Sequence, residues 1–175
     1  MIFFEGADGS GKTTLIQQLI DEYGYNSLIT PPQRKPKKVT EEEDWDYFMD
    51  KVKPIHFCDR GILTELVYRQ VDGEVSWLHG AAHALTLLQG HMIVYCKTNT
   101  AYADAMARGE NHILDEKVHK KIVKEYDRVT KFIQLYDNVA VITYDWQKDD
   151  ILEVVKAINL YITGGVNAVR QLYNS

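Results

Sequence analysis

Cysteine is scarce in this 175-residue chain, which holds only Cys58 and Cys96. Two cysteines that far apart make neither a metal cluster nor the disulfide framework of small secreted domains. Both fall in apolar stretches, so reduced, buried thiols are expected. Proline is sparse too, and three of the four lie between Pro31 and Pro36, leaving the rest of the chain open to regular elements. No apolar run approaches the roughly 20 residues that a membrane-spanning helix needs. The opening Met1-Ile2-Phe3-Phe4 is too short for a secretory h-region and runs straight into Glu5-Gly6. A cytoplasmic protein with no membrane partner is expected. Basic residues are in deficit, 20 Lys and Arg against 25 Asp and Glu, for a net charge of −5. That balance argues against a broad, non-specific nucleic-acid surface, though not against a local basic groove. Repeats and low-complexity tracts are also missing, and the length suits a single domain over residues 1–175.

What is present is an alternation of short apolar runs with longer amphipathic ones. Ile2 to Glu5, Ser27 to Thr30, Ile55 to Cys58, Met92 to Cys96 and Val139 to Thr143 read as strands. Lys12 to Tyr23 reads as a helix with Leu15, Ile16, Leu19 and Ile20 on one face. Further helices are expected over Ile62 to Val71, Val75 to Gln89, Tyr102 to Ala107, Asp115 to Leu135 and Asp149 to Tyr161, with Gly164-Gly165 before a short tail. A basic, proline-rich loop carries Arg34, Lys35, Lys37 and Lys38, and leads to a helix capped by Thr40 with Trp45, Phe48, Met49 and Val52 as its apolar stripe. Strands alternating with helices imply right-handed βαβ units. The expected fold is therefore α/β: a five-stranded parallel sheet with helices on both faces, in three layers. Ligands of such sheets bind at the carboxyl ends of the strands.

The first strand runs into Gly6-Ala7-Asp8-Gly9-Ser10-Gly11-Lys12-Thr13, a full match to G-x-x-x-x-G-K-[ST] between a strand and a helix. The pattern has a physical purpose. Glycines let the loop turn its N–H groups inward around phosphate oxygens, and the helix after it adds the positive end of its dipole. Lys12 is placed for the β- and γ-phosphates, and the Thr13 hydroxyl for Mg²⁺. Gly6, Asp8, Gly9, Ser10, Gly11, Lys12, Thr13 and Thr14 are the expected donor-binding residues, with ATP as donor.

A second signal closes the third strand, where Asp59-Arg60-Gly61 comes after Pro54-Ile55-His56-Phe57-Cys58. An acid at that place suits the Walker B role, holding Mg²⁺ or taking a proton from the acceptor. A guanidinium beside it clamps phosphate oxygens. The competing reading makes Asp59 a helix N-cap. A third segment, Met106-Ala107-Arg108-Gly109-Glu110-Asn111-His112, lies where a lid over residues 107–114 would bring Arg108 onto the transferring group. Lys12, Asp59 and Arg108 are the catalytic candidates, with Thr13 and Asp59 for the metal. The basic residues of the long helix after this segment, Lys117 to Lys131, read as a solvated face.

These motifs resemble the thymidylate kinase family. Phe4-Glu5-Gly6-Ala7-Asp8-Gly9-Ser10-Gly11-Lys12-Thr13-Thr14 is similar to its first motif, Asp59-Arg60 with Tyr68 and Gln70 to its D-R-Y…Y-Q segment, and Arg108-Gly109-Glu110 to the start of its lid. Arg34-Lys35-Pro36 faintly echoes its R-E-P-G turn. The resemblance implies an acceptor site on residues 31–54 and nearby. Asp8 approaches the acceptor sugar, Arg60 and Arg34 grip its phosphate, Trp45 or Phe48 offers a platform for the base, and Tyr68 and Gln70 complete the site. It also implies a possible homodimer, for which Trp77 and Leu78 are candidates alongside a plain core role. The chain departs from the family in Lys35, Lys37 and Lys38, in Gly61 where an aromatic is usual, and in a short stretch between the second and third strands.

Four functions compete. The first is ATP-dependent phosphorylation of a pyrimidine deoxynucleotide. The second directs the same chemistry to the hydroxyl of 5-hydroxymethyluracil in DNA, as in similar small phage kinases, with the basic loop on backbone phosphates. In that case the protein works in a host cytoplasm. The third is a deoxynucleoside kinase, and the fourth a nucleotide-dependent switch without catalysis.

Overall fold

The computed structural model describes residues 1–25, 28–29, 57–74, 76–109 and 115–173. Its strands are β1 (Ile2–Glu5), β2 (Leu28–Ile29), β3 (Phe57–Asp59), β4 (Met92–Cys96) and β5 (Ala140–Tyr144). Helices α1 (Lys12–Tyr23), α2 (Ile62–Val71), α3 (Trp77–Leu88), α4 (Ala101–Ala107), α5 (Glu116–Ile133) and α6 (Ile151–Tyr173) connect and cover them. The sheet order is β2-β3-β1-β4-β5, and every pairing is parallel. The five expected strands share one sheet, the second of them short. Four have three to five residues, and β2 adds only a two-residue edge.

Side-chain alternation along each strand builds the layers. Phe3, Cys58, Ile93, Tyr95 and Val141 point to one face and pack with α2, α3 and α5. Ile2, Phe4, Phe57, Met92, Val94, Ala140 and Ile142 point to the other and pack with α1 and α6. Both faces are covered, so the central strands are apolar up to the acids at their carboxyl ends, Glu5 and Asp59, rather than alternating with polar residues. Cys58 and Cys96 are free and buried, as expected.

Helix α5 puts His119, Ile122, Tyr126, Val129, Thr130 and Ile133 inward. Lys117, Lys120, Lys121, Lys124, Arg128 and Lys131 are exposed on its other side, the solvated face anticipated from the sequence. Its cap is Asp115, which accepts from Val118 N–H. Trp77 is half-buried: the Arg128 guanidinium lies 3.8 Å over its ring and Phe132 meets it edge-on. The Leu78 side chain lies outside the described residues.

The C-terminal expectation needs correction. Gly164-Gly165 does not release the chain into a tail. Gly165 breaks the helical geometry at φ 68°, ψ −162°, and helix then resumes to Tyr173. Val166 and Val169 bury themselves against the sheet beyond the break, so packing overrides the local glycine signal. Among the described residues, no helix is long and apolar enough to cross a membrane.

Candidate active site

The β1 carboxyl end delivers the chain into the loop Gly6–Thr13. Gly11, at φ 84°, precedes α1 with no side chain capping it, and the first turn of α1 holds no acid. The first-turn N–H groups are therefore not claimed by a cap, which is the condition for an anion site. Gly9 has no room for a side chain: a Cβ there would stand 1.8 Å from the Ala101 carbonyl oxygen. Ser10 is buried, and its N–H donates to Ala7 O. The Lys12 ammonium is folded into the loop, donating to Gly6 O and Ala7 O at 2.8 Å each and to Ser10 Oγ at 3.3 Å. Burial, and then the charge of Arg60, lower the Lys12 pKa. An incoming phosphate offers that ammonium a better partner than two carbonyls.

Thr13 Oγ1 donates to Asp59 Oδ2 at 2.6 Å, joining the P-loop to the β3 end. Asp59 thus closes the strand, and Gly61, not Asp59, stands at the α2 cap position. The N-cap alternative is set aside. Asp59 Oδ1 is buried with no hydrogen-bond partner among the described residues. The Thr13 hydroxyl and the Asp59 carboxylate, one of its oxygens orphaned, form a hard-oxygen donor pair that fits Mg²⁺. Among the described residues no cluster of three His, Cys, Asp or Glu side chains forms. Mg²⁺ sites of this kind draw most ligands from substrate phosphates and water.

Beside this pair lies a charged cluster. Asp8 Oδ1 is ion-paired with Arg60 Nη2, and Tyr68 OH donates to Asp8 Oδ2 at 2.9 Å. Burial works to raise the Asp8 carboxyl, but the Arg60 charge and the hydrogen bonds from Arg60 and Tyr68 outweigh it and hold it low. Arg60 has φ 71°, rare for a residue with a side chain, and such strain collects at functional sites. Gly61 has no room for a side chain: a Cβ there would stand 2.3 Å from the Phe3 ring. Gln70, also on α2, buries its amide without a partner among the described residues, a cost of about 1–3 kcal/mol for such a group unless something bonds it.

Glu5 underpins α2. It is fully buried and accepts from Leu63 N–H at 3.0 Å, Thr64 N–H at 3.1 Å and Thr64 Oγ1 at 2.6 Å. Thr64 Oγ1 also meets Tyr126 OH at 2.8 Å. Burial pushes the Glu5 carboxyl up to about 7, against the pull of its donors and Lys12.

On the other side of the loop opens a cleft of about 670 Å³. Gly9, Gly11, Thr14, Arg108, Trp146 and Asp150 are among the residues that line it. Trp146 is 48% exposed, and its indole packs on the P-loop, 3.1 Å from where a Gly11 Cβ would be.

The structure thus brings together Gly6, Asp8, Gly9, Ser10, Gly11, Lys12, Thr13, Thr14, Asp59, Arg60 and Tyr68, and sets Arg108 on the cleft beside them. Arg34, Trp45 and Phe48, and lid residues 110–114, lie outside the described residues. Sequence reading missed Trp146, Glu5 and His119. For Trp146 a signal existed, since it stands just past an apolar strand whose end lies at the ligand edge of the sheet.

No family model matches the chain, and no curated protein sequence matches it. Its fold does match solved structures. A YorR protein from Bacillus subtilis, in complex with phosphorylated GDP, aligns with TM-score 0.66 and 18% identity over 92% of this chain and 94% of that one. A deoxyadenosine kinase from M. mycoides, with dCMP and dCDP bound, aligns with TM-score 0.63 and 19% identity over 90% and 98%. A thymidylate kinase from Ehrlichia chaffeensis gives 0.54 and 19% over 90% and 97%. At these identities the shared property is the fold, the parallel α/β fold of P-loop kinases.

Proposed function

We propose that this chain is a Mg²⁺-dependent kinase that moves the γ-phosphoryl group of ATP onto the phosphate of a pyrimidine deoxynucleotide. One observation carries the reading: the Asp8–Arg60–Tyr68 cluster meets the Thr13–Asp59 pair at the mouth of a P-loop. Donor phosphates lie on the loop amides and the α1 N-terminus, where Lys12 turns from Gly6 O and Ala7 O to meet them. Mg²⁺, held through Thr13 and Asp59, would neutralise charge on the donor phosphates. The donor base enters the cleft between Arg108 and Trp146. Arg60 exchanges Asp8 for the acceptor phosphate, leaving Asp8 to the sugar, while the Gln70 amide offers a donor and an acceptor to the base edge. Positioning and charge stabilisation then do the catalytic work, as phosphoryl transfer requires.

A phosphate acceptor suits this site better than a hydroxyl, because it arrives already ionised and needs no base. Asp8 is held low by Arg60 and is a poor base, and Asp59 already accepts from Thr13. The deoxynucleoside reading is the second one, supported by the fold of the deoxyadenosine kinases. The DNA reading rests on residues 34–38, outside the described residues.

The test is label transfer from γ-labelled ATP to three acceptors offered separately: pyrimidine deoxynucleoside monophosphates, deoxynucleosides, and DNA containing 5-hydroxymethyluracil. Label in nucleoside diphosphate is expected. Label only in monophosphate, or only in DNA, would overturn the acceptor assignment.

A further inference from the structure

We propose that His119 is a positioning residue for the phosphate cradle: its ring holds the Asp8–Gly9 peptide so that the Gly9 N–H faces the donor phosphates. The inference rests on the phosphate-binding role of the loop given above.

His119 lies far from the P-loop in sequence, on the first turn of α5, and is 4% exposed. Its Nε2 is 2.9 Å from the Asp8 carbonyl oxygen. A carbonyl only accepts, so Nε2 carries the proton and donates. In a trans peptide the carbonyl and the next N–H point in opposite directions. Pulling the Asp8 carbonyl toward α5 therefore turns the Gly9 N–H away from α5, back across the loop. The opposite orientation would aim a carbonyl oxygen at the phosphates and repel them.

The same peptide is confined from a second direction. Gly9 lies against α4, where the Ala101 carbonyl and Ala105 Cβ leave no space for a side chain. Tyr102, also on α4, meets the His119 ring edge-on at 5.4 Å between centroids, fixing the ring that makes the hydrogen bond. Two helices thus hold one peptide: α4 by contact at Gly9, α5 by the donor at Asp8. Asp8 is also the residue whose carboxylate bonds Arg60 and Tyr68, so its backbone is anchored on one side while its side chain serves the acceptor cluster.

The experiment compares His119→Gln, which keeps an N–H donor, with His119→Leu, which fills similar space without one. Donor and acceptor KM are measured on folded protein, and the Gly9 amide resonance is tracked by ¹⁵N NMR without ligand. His119→Leu should raise donor KM by about tenfold, the loss of one charge-assisted hydrogen bond, leave acceptor KM within about twofold, and shift the Gly9 amide. His119→Gln should restore both. Donor KM near wild type in the Leu variant, or an equal loss in both variants, would overturn the role. Should wild type bind no nucleoside triphosphate while the Gly9 amide still moves in the Leu variant, the kinase reading falls and the clamp on the peptide stands.

Discussion

Glu5 offers the sharpest physical test of how the site is held. It sits fully buried at the end of β1, with two α2 N–H groups and the Thr64 hydroxyl as donors. Burial dominates, and the carboxyl moves from its ordinary 4.5 up to about 7. At about 1.4 kcal/mol per pH unit, that displacement is on the order of 3 kcal/mol. The sign comes from proton counting. Between pH 4.5 and 7 the folded protein holds a proton on Glu5 that the unfolded chain has released. Stability is therefore fully present below about 4.5 and declines as pH rises through about 7. Glu5→Gln does not titrate here, and its altered packing is the same at every pH. The stability difference between wild type and Glu5→Gln, from urea unfolding across pH 5 to 8, isolates the carboxyl. Wild type should lose on the order of 3 kcal/mol relative to the variant as pH rises across that window and then level off. A flat difference, or a Glu5 carboxyl titrating by NMR at or below its ordinary value, would overturn this assignment. It would mean that the three donors and the α2 dipole outweigh burial.

Three further predictions concern the site. Gln70→Met replaces a buried, partnerless amide by an apolar chain of similar length; thermal unfolding without substrate should show a gain of about 1–3 kcal/mol, while acceptor KM rises. Arg60→Ala should raise acceptor KM about ten- to hundredfold with a smaller change in kcat; steady-state kinetics with varied acceptor checks this, and an unchanged KM would return Arg60 to a structural role. Trp146→Ala should raise donor KM several-fold and remove the larger part of the ATP-induced change in indole fluorescence measured without acceptor, because Trp146 lines the donor cleft while Trp77 packs under Arg128.

Much of the fold was legible because its signals are local. The P-loop lies between a buried apolar strand and an amphipathic helix, and both form where the pattern places them. Asp59 was ambiguous from sequence, since an acid before a helix serves equally as a cap; the hydrogen bond from Thr13, 46 residues away, decides it. His119 was illegible for a different reason. On a helix crowded with lysines it reads as one more residue of the amphipathic pattern, and only the tertiary fold brings it to Asp8. Glu5 was hidden in the motif as an ordinary strand end, its role set by the N-terminus of a helix that begins 57 residues later. Gly164-Gly165 misled because a glycine pair marks a break in a helix without ending it, and Val166 and Val169 find the core beyond the break.

The kinase reading depends on the loop from Gly6 to Thr13 holding the phosphates of a transferred phosphoryl group. Phosphoryl transfer from γ-labelled ATP to a deoxynucleoside monophosphate, by wild type and by Lys12→Ala in the presence of Mg²⁺, addresses that role head-on. Labelled diphosphate from wild type and none from the variant is the expected result. Near-normal transfer by Lys12→Ala would remove the P-loop from the chemistry.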